Sequence, residues 1–215
     1  MVNDLVAPDG SILFDAACCA TGDGIAFDVW YGQHHLPALR ARLSNAQATV
    51  YASATYRNLT AIFELPSGLR VEQALAAAAE PNPVADRWEQ FVAAPLTRSK
   101  RPDAEDWARL ARAPIAYPVF FGVPPSREEE FNRWYDEEHI AILLGCEQWL
   151  ACRRFRLLTP HPDGYTHLAL HYLADLRALQ SPQRDRARRT PWRDSLATES
   201  WFRGEYRVCY RWGFR

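Results

Sequence analysis

Residues Phe27 to Leu39 read FDVWYGQHHLPAL, and residues Phe131 to Leu143 read FNRWYDEEHIAIL. The two stretches share phenylalanine, tryptophan, tyrosine, histidine and leucine in one register, at a constant offset of 104 residues from Phe27 to Phe131. Residue types this rare seldom coincide by chance over so short a stretch. The chain is therefore predicted to hold two copies of one unit.

The repeat extends beyond these two stretches. Trp88 and Trp192 lie at the same offset, whereas Ala61 matches Ala169 at an offset of 108 residues. Offsets that drift and then recover indicate loops of different length between shared elements. The predicted organisation is a first repeat over residues 1–97, a connector with a short helix over 98–114, and a second repeat over 115–215.

The second copy predicts six elements in order. Residues 115–123 are rich in aromatic and β-branched types and indicate a strand. Ser126 and Glu129 form a capping-box pattern, which predicts a helix that runs to about Leu144. Residues 149–158 and 165–173 predict a hairpin, a short helix follows, and alternation over 206–214 predicts a last strand.

This β-α-β-β-α-β order is typical of a ferredoxin-like α+β unit. The first copy follows it from Ile12 to about Val92, although its sequence shows no convincing fourth strand.

Composition limits the class of protein. The chain has 215 residues, 48% hydrophobic and 24% charged, which is enough to bury a core. Its net charge of −1 argues against nucleic-acid binding. It has no apolar run of membrane-spanning length, no secretory signal, and five cysteines without a C-x-x-C pair. These features predict a reduced, cytoplasmic protein that binds no membrane.

The second copy resembles the dimeric α+β barrel superfamily, in particular its EthD-like members. The resemblance is carried by residues 130–140, by the arginine-rich stretch 153–156, and by the Pro191-Trp192 pair. It covers residues 10–92 and 113–215, but in the first copy Gly32-Gln33-His34 replaces the acidic stretch 136–138. The resemblance implies that two ferredoxin-like units pair their antiparallel sheets into one barrel, with a homodimer as a further option. Members include isomerases of aromatic ring-cleavage products, cofactor-free monooxygenases and haem enzymes.

A Tyr–His pair in each copy is the predicted catalytic feature. Tyr135 and His139 are four residues apart and share one helix face, as do Tyr31 and His35. A neutral imidazole can move a proton, and a phenol can donate to an enolate oxygen. The alternative is that this face packs on the sheet as part of the core. Asp136 is expected either to orient His139 or to be a solvated acid.

Substrate-binding residues are predicted on the strands that follow the helix. Arg154 and Arg156, with Arg57 as the first-copy counterpart, suit a substrate carboxylate, unless they form salt bridges. His167 and His171 share a strand face that suits a cavity, or they have structural roles. Trp134 completes the predicted binding set. The basic run from Arg184 to Arg189 is expected to be a solvated helix face.

The sequence therefore predicts an isomerase that needs no cofactor and no metal. It would shuttle a proton on a small unsaturated oxo acid, such as an aromatic ring-cleavage product. Three alternatives stay open: a cofactor-free monooxygenase of an aromatic or polyketide substrate, a ligand-binding protein without turnover, and a haem protein ligated by His139 or His171.

Overall fold

The computed structural model describes residues 5–19, 22–54, 57–78 and 85–213. The chain forms two compact units. Unit 1 comprises Met1–Pro95, Arg156–His161 and Cys209–Arg215, and unit 2 comprises Leu96–Phe155 and Pro162–Val208. The predicted repeats were continuous stretches, whereas each observed unit also takes in a short segment from elsewhere in the chain.

Unit 1 contains strands, helices and one π-helical segment. In chain order they are β1 (Ile12–Cys18), α1 (Gly24–Trp30), the π segment Tyr31–His35, α2 (Leu36–Arg42), β2 (Ala48–Ala52), β3 (Asn58–Glu64), α3 (Val71–Ala78) and β4 (Arg87–Lys100), of which Leu96–Lys100 belongs to unit 2. The C-terminal strand β9 (Cys209–Arg211) also belongs to unit 1. The sheet order is β4-β1-β3-β2-β9, and every pairing is antiparallel.

The fourth strand of the first copy does exist, so its omission from the sequence prediction was wrong. β4 buries Phe91, Val92 and Ala93 beside β1. Polar residues precede and follow this short apolar centre, so the apolar pattern is too short to predict the full strand.

Unit 2 repeats the same order of elements. They are α4 (Trp107–Leu110), β5 (Ile115–Phe121), a 3₁₀ turn (Pro125–Arg127), α5 (Glu128–Arg133), the π segment Trp134–His139, α6 (Ile140–Leu143), β6 (Trp149–Leu157), β7 (His167–Leu173), a 3₁₀ segment (Leu176–Gln180), α7 (Pro182–Ala187), α8 (Pro191–Leu196) and β8 (Glu205–Tyr206). Within unit 2 the strand order is β6-β7-β5-β8. The strands β1 to β4 and the strands β5 to β8 thus each follow the ferredoxin-like order, unit 1 holds β9 as a fifth strand, and the fold class is α+β with antiparallel sheets.

Two local predictions in unit 2 were wrong. The Ser126–Glu129 pattern forms no capping box, because a 3₁₀ turn over Pro125–Arg127 precedes α5 and the α5 N-cap residue, Arg127, makes no side-chain cap bond. The last predicted strand is divided into the short strands β8 and β9, and its final residue, Phe214, lies outside the described residues.

A π-helical segment lies at the same place in both copies. The Leu36 N–H donates to the Tyr31 carbonyl, and the Ile140 N–H donates to the Tyr135 carbonyl, which is the i→i+5 pattern. π segments are rare, and they often occur at functional sites. Each segment begins at or just before the tyrosine and ends at the histidine of the predicted pair.

No helix in the described part of the chain combines the length and the apolar character needed to cross a bilayer.

Candidate functional site

Unit 2 contains a cavity of about 180 Å³, which we call the unit 2 cavity. Aromatic side chains form much of its wall: Tyr117, Phe121, Trp134, Tyr135, Trp149, Phe202 and Tyr206. An apolar cavity of roughly 150 Å³ holds a benzene molecule. The unit 2 cavity therefore has the volume and the walls for one substituted aromatic ring.

Helices α7 and α8 bring three arginines to this cavity. Ser181 is the N-cap residue of α7, and its hydroxyl accepts from the Arg184 N–H. Thr190 is the N-cap residue of α8, and its hydroxyl accepts from the Arg193 N–H. Arg184 and Arg193 line the cavity together with Arg188, which directly follows α7. None of the three was predicted as a site residue: Arg184 and Arg188 belong to the basic run that was expected to be a solvated helix face, and Arg193 lies outside that run. The i,i+4 spacing of Arg184 and Arg188, which places both on one helix face, was the available signal.

A hydrogen-bonded chain of buried side chains lies in the cavity wall. The Trp149 Nε1–H donates to His171 Nδ1 at 3.0 Å, and His171 Nε2 is 3.0 Å from the Tyr135 hydroxyl oxygen. All three residues are at most 2% exposed. Burial lowers the pKa of His171 well below its usual value, and the positively charged Arg154 acts in the same direction. His171 is therefore neutral and carries one proton.

The position of that proton follows from the partners. An indole N–H can only donate, so the Nδ1 of His171 must be the accepting nitrogen. The single proton of a neutral imidazole then lies on Nε2, and Nε2 donates to the Tyr135 oxygen. Burial raises the pKa of Tyr135 well above its usual value, so the phenol keeps its own proton. Tyr135 already accepts from His171, and its O–H is thus available as a donor.

His139 offers a hydrogen-bond acceptor, where Tyr135 offers a donor. Its Nδ1 lies 3.4 Å from the Ala187 carbonyl oxygen, which can only accept, so Nδ1 carries the proton. Burial is the main cause that lowers the pKa of His139 from 6.5 to about 4, and the cations of Arg193, Arg154 and Arg188 add to it. The ring is therefore neutral near pH 7, with the lone pair on Nε2. His139 and Tyr135 both line the unit 2 cavity, and their ring centroids are 4.9 Å apart.

The structure thus brings together four of the predicted site residues. Tyr135, His139, His171 and Trp134 all line the unit 2 cavity. An acceptor nitrogen and a donor hydroxyl beside one aromatic-walled space can hold a phenolic or enolic oxygen between them.

The predicted docking arginine Arg154 instead lies within the protein. Its guanidinium donates to Asp136 at 2.8 Å and to the side chain of Asn132, and it lies 4.7 Å from the Tyr135 ring centroid. It is 2% exposed and does not line the unit 2 cavity. Asp136 is therefore neither a solvated acid nor a partner of His139, because Arg154 and the Thr97 hydroxyl occupy its two oxygens.

Three other predicted binding residues lie outside the unit 2 cavity. Arg57 and Arg156 belong to unit 1, where both are exposed, and Arg57 donates to the Cys19 carbonyl at 3.2 Å. His167 is buried beside the Thr166 hydroxyl at 2.9 Å and the Phe131 ring.

The corresponding pair in unit 1, Tyr31 and His35, is bound to a buried carboxylate. Asp15 is fully buried, and its Oδ2 accepts from the Tyr31 hydroxyl at 2.8 Å and contacts His35 Nε2 at 2.9 Å. Its Oδ1 accepts from Trp88 at 2.7 Å and from Gln90 at 2.6 Å. Both members of the pair are thus engaged within the protein. Strand pairing shows the difference between the copies, since Asp15 pairs with Ala61 in unit 1 and a valine, Val119, pairs with Ala169 in unit 2.

No family model and no curated protein matches the sequence. Among solved structures, an anthrone oxidase-like protein superposes with a TM-score of 0.68 at 11% identity, covering 98% of this chain and 95% of the other. A ferredoxin-fold protein from Listeria monocytogenes, described as related to antibiotic biosynthesis monooxygenases, gives a TM-score of 0.53 at 8% identity, with 99% of both chains covered. A haem-degrading enzyme from the same organism gives 0.52 at 6% identity over 94% of this chain and 99% of the other. At these identities the likeness shows a shared ferredoxin-like fold.

Haem does not fit the unit 2 cavity. A space only slightly larger than the one that holds benzene cannot take a tetrapyrrole ring. Both nitrogens of His171 are already hydrogen-bonded to Trp149 and Tyr135, so this histidine has no free ligand atom for iron.

Proposed function

We propose that the protein is a cofactor-independent oxygenase that oxidises a phenolic aromatic substrate in the unit 2 cavity. The observation that carries the proposal is the pair formed by the neutral base His139 and the donor Tyr135 beside one ring-sized aromatic space. The structural neighbours named as oxidase-like or monooxygenase-related support this reading. They give no support to the isomerase that the sequence predicted.

In the proposed reaction the substrate hydroxyl lies between the two side chains. His139 Nε2 takes its proton, and the Tyr135 O–H donates to the phenolate oxygen that forms. The nearby arginines stabilise the anion, and the aromatic wall keeps water away from it. An electron-rich phenolate is the form that reacts directly with dioxygen.

The reaction balances without another reductant. A phenol with hydrogen at its para carbon reacts with dioxygen to give a para-quinone and water. One oxygen atom forms a bond to the para carbon, and the other leaves as water with the hydroxyl proton and the para hydrogen. The phenol supplies all the electrons, so the proposal requires no flavin, nicotinamide or metal.

Oxygen uptake tests the proposal. The purified protein, given single-ring phenols, should consume one dioxygen for each quinone formed. His139→Gln should lower turnover about 100-fold or more, the usual contribution of a general base. Tyr135→Phe should lower it by a similar factor, since it removes an oxyanion donor. His34→Gln, which changes an exposed histidine of unit 1, is the matched control and should keep full activity.

Two results would contradict the oxygenase. Product that forms equally fast without oxygen would point back to proton shuttling and an isomerase. Tight binding of phenols without any product would indicate a ligand-binding protein.

A further inference from the structure

The lining of the unit 2 cavity is strongly positive. Arg184, Arg188 and Arg193 line it, and among the residues that the structure describes no aspartate or glutamate lines it. The two histidines that line it, His139 and His171, are neutral by the argument given above. The charge of this lining is therefore that of the three guanidinium groups.

The arginines are poorly compensated by the protein itself. Arg184 donates to the Leu179 carbonyl at 2.9 Å, which is a neutral partner. Arg193 contacts the adjacent and exposed Asp194 at 3.4 Å. Within residues 5–19, 22–54, 57–78 and 85–213, Arg188 forms no ion pair. Three guanidinium groups that line one cavity favour a bound anion, although Arg188 is itself exposed.

The charged and neutral polar groups come from different elements. The arginines come from α7, from the residue after it, and from α8, whereas Tyr135 and His139 lie on the π segment. Tyr117, Trp134 and Trp149 line the same cavity, whose volume of about 180 Å³ suits a single ring. A ligand that satisfies both sets needs two oxygen groups, one acidic and one hydroxyl, on a single ring.

We propose that the unit 2 cavity selects a single-ring aromatic acid that also carries a hydroxyl group. The carboxylate pairs with the arginines, and the hydroxyl lies between Tyr135 and His139. The oxidation of this ligand rests on the proposed function. Its binding does not, because binding requires no oxygen chemistry.

Calorimetric titration of the full chain tests this ligand class. The probes are 3-hydroxybenzoate, whose position para to the hydroxyl carries hydrogen, and the neutral 3-hydroxybenzamide of nearly the same shape. We expect the acid to bind at least tenfold more tightly than the amide. Arg188→Gln should remove most of that difference while the amide affinity stays the same. Arg186→Gln, a change at an exposed residue of α7 that does not line this cavity, should leave both affinities unchanged.

Equal affinities for the acid and the amide would overturn the proposal, and so would an Arg188→Gln variant with an unchanged preference. Arg193→Gln gives a second, independent variant if the first one fails to fold. Binding of the acid without oxygen uptake would refute the oxygenase and leave the ligand class standing. Oxidation of phenol and the amide as fast as the acid would refute the ligand class and leave the oxygenase standing.

Discussion

The proton on His171 determines what Tyr135 can do. Trp149 fixes that proton on Nε2, and the Tyr135 hydroxyl then donates toward the cavity. Without the indole N–H, His171 can accept from Tyr135 instead, and the tyrosine no longer serves a ligand. Trp149 is thus a positioning residue, which acts through His171.

Replacing the indole tests this chain of hydrogen bonds. Trp149→Phe should weaken 3-hydroxybenzoate binding about tenfold, the equivalent of one lost hydrogen bond. Tyr135→Phe should cause a similar loss, and the double variant should lose no more than either single one. Calorimetry measures the three affinities, and near-ultraviolet circular dichroism checks the fold. Additive losses would mean that the two residues act separately.

His139 makes stability depend on pH. Its pKa is about 4 in the folded chain against 6.5 unfolded, so the unfolded chain binds the proton first as pH falls. Its stabilising effect is complete above pH 6.5 and is lost as pH falls toward 4. From pH 7 to pH 5 it should cost about 2 kcal/mol in the free energy of unfolding.

Urea unfolding at several pH values measures this loss. His139→Leu should show a shallower fall, and His34→Gln should retain the wild-type slope. A His139→Leu variant with the wild-type slope would show that the pKa of His139 is the same in the folded and the unfolded chain. His171, whose pKa burial also lowers, contributes in the same direction in every variant.

At the scale of elements, the segment before β8 limits the size of the cavity. Gly204 lies in the lining, and a Cβ there would come within 2.8 Å of the Phe121 ring. Phe121 is itself 8% exposed and part of the wall, so its ring would have to move.

Gly204→Ala should therefore weaken ligand binding several-fold and lower stability by about 1–3 kcal/mol, as overpacking does. Gly213→Ala is the control, because a Cβ there meets no atom within 4 Å. Calorimetry and urea unfolding give the two readouts. Unchanged affinity in Gly204→Ala would mean that the Phe121 ring moves away from the ligand.

Elements were predictable from the sequence where local pattern determines them. The aromatic and β-branched run of β5 and the turn before β7 gave strands close to the observed bounds. The π segments were not predictable, because an i→i+5 turn has no residue signature and the four-residue spacing fits an α-helix equally well. β4 was missed because only its centre is apolar.

The site was predictable only in part, for a related reason. The repeat singled out Tyr135 and His139, and strand alternation singled out His171. Trp149 was missed, because it lies on a different strand from His171 and the two side chains meet only in the folded sheet. Arg154 was predicted as a binding residue but is not one. An arginine on a strand can pair with a ligand carboxylate or with a protein carboxylate, and here the partner is Asp136.

At the scale of the whole molecule, the two copies keep one set of elements and differ in what surrounds the Tyr–His pair. In unit 1 Asp15 binds both members, and in unit 2 the pair lines a cavity. We therefore predict one ligand bound per chain. Calorimetric titration with 3-hydroxybenzoate measures this stoichiometry, and Asp15→Asn should leave it at one. Two equivalent sites would contradict the assignment of the site to unit 2.

The three arginines of the unit 2 cavity also have a kinetic consequence. A group of poorly compensated arginines attracts anions from a distance, so a hydroxybenzoate should associate faster than its amide before any contact forms. Dissolved ions screen that attraction over roughly 8 Å at physiological ionic strength. The association rate of the acid should therefore fall as salt is added, while that of the amide stays level, and stopped-flow mixing at rising salt would record the difference.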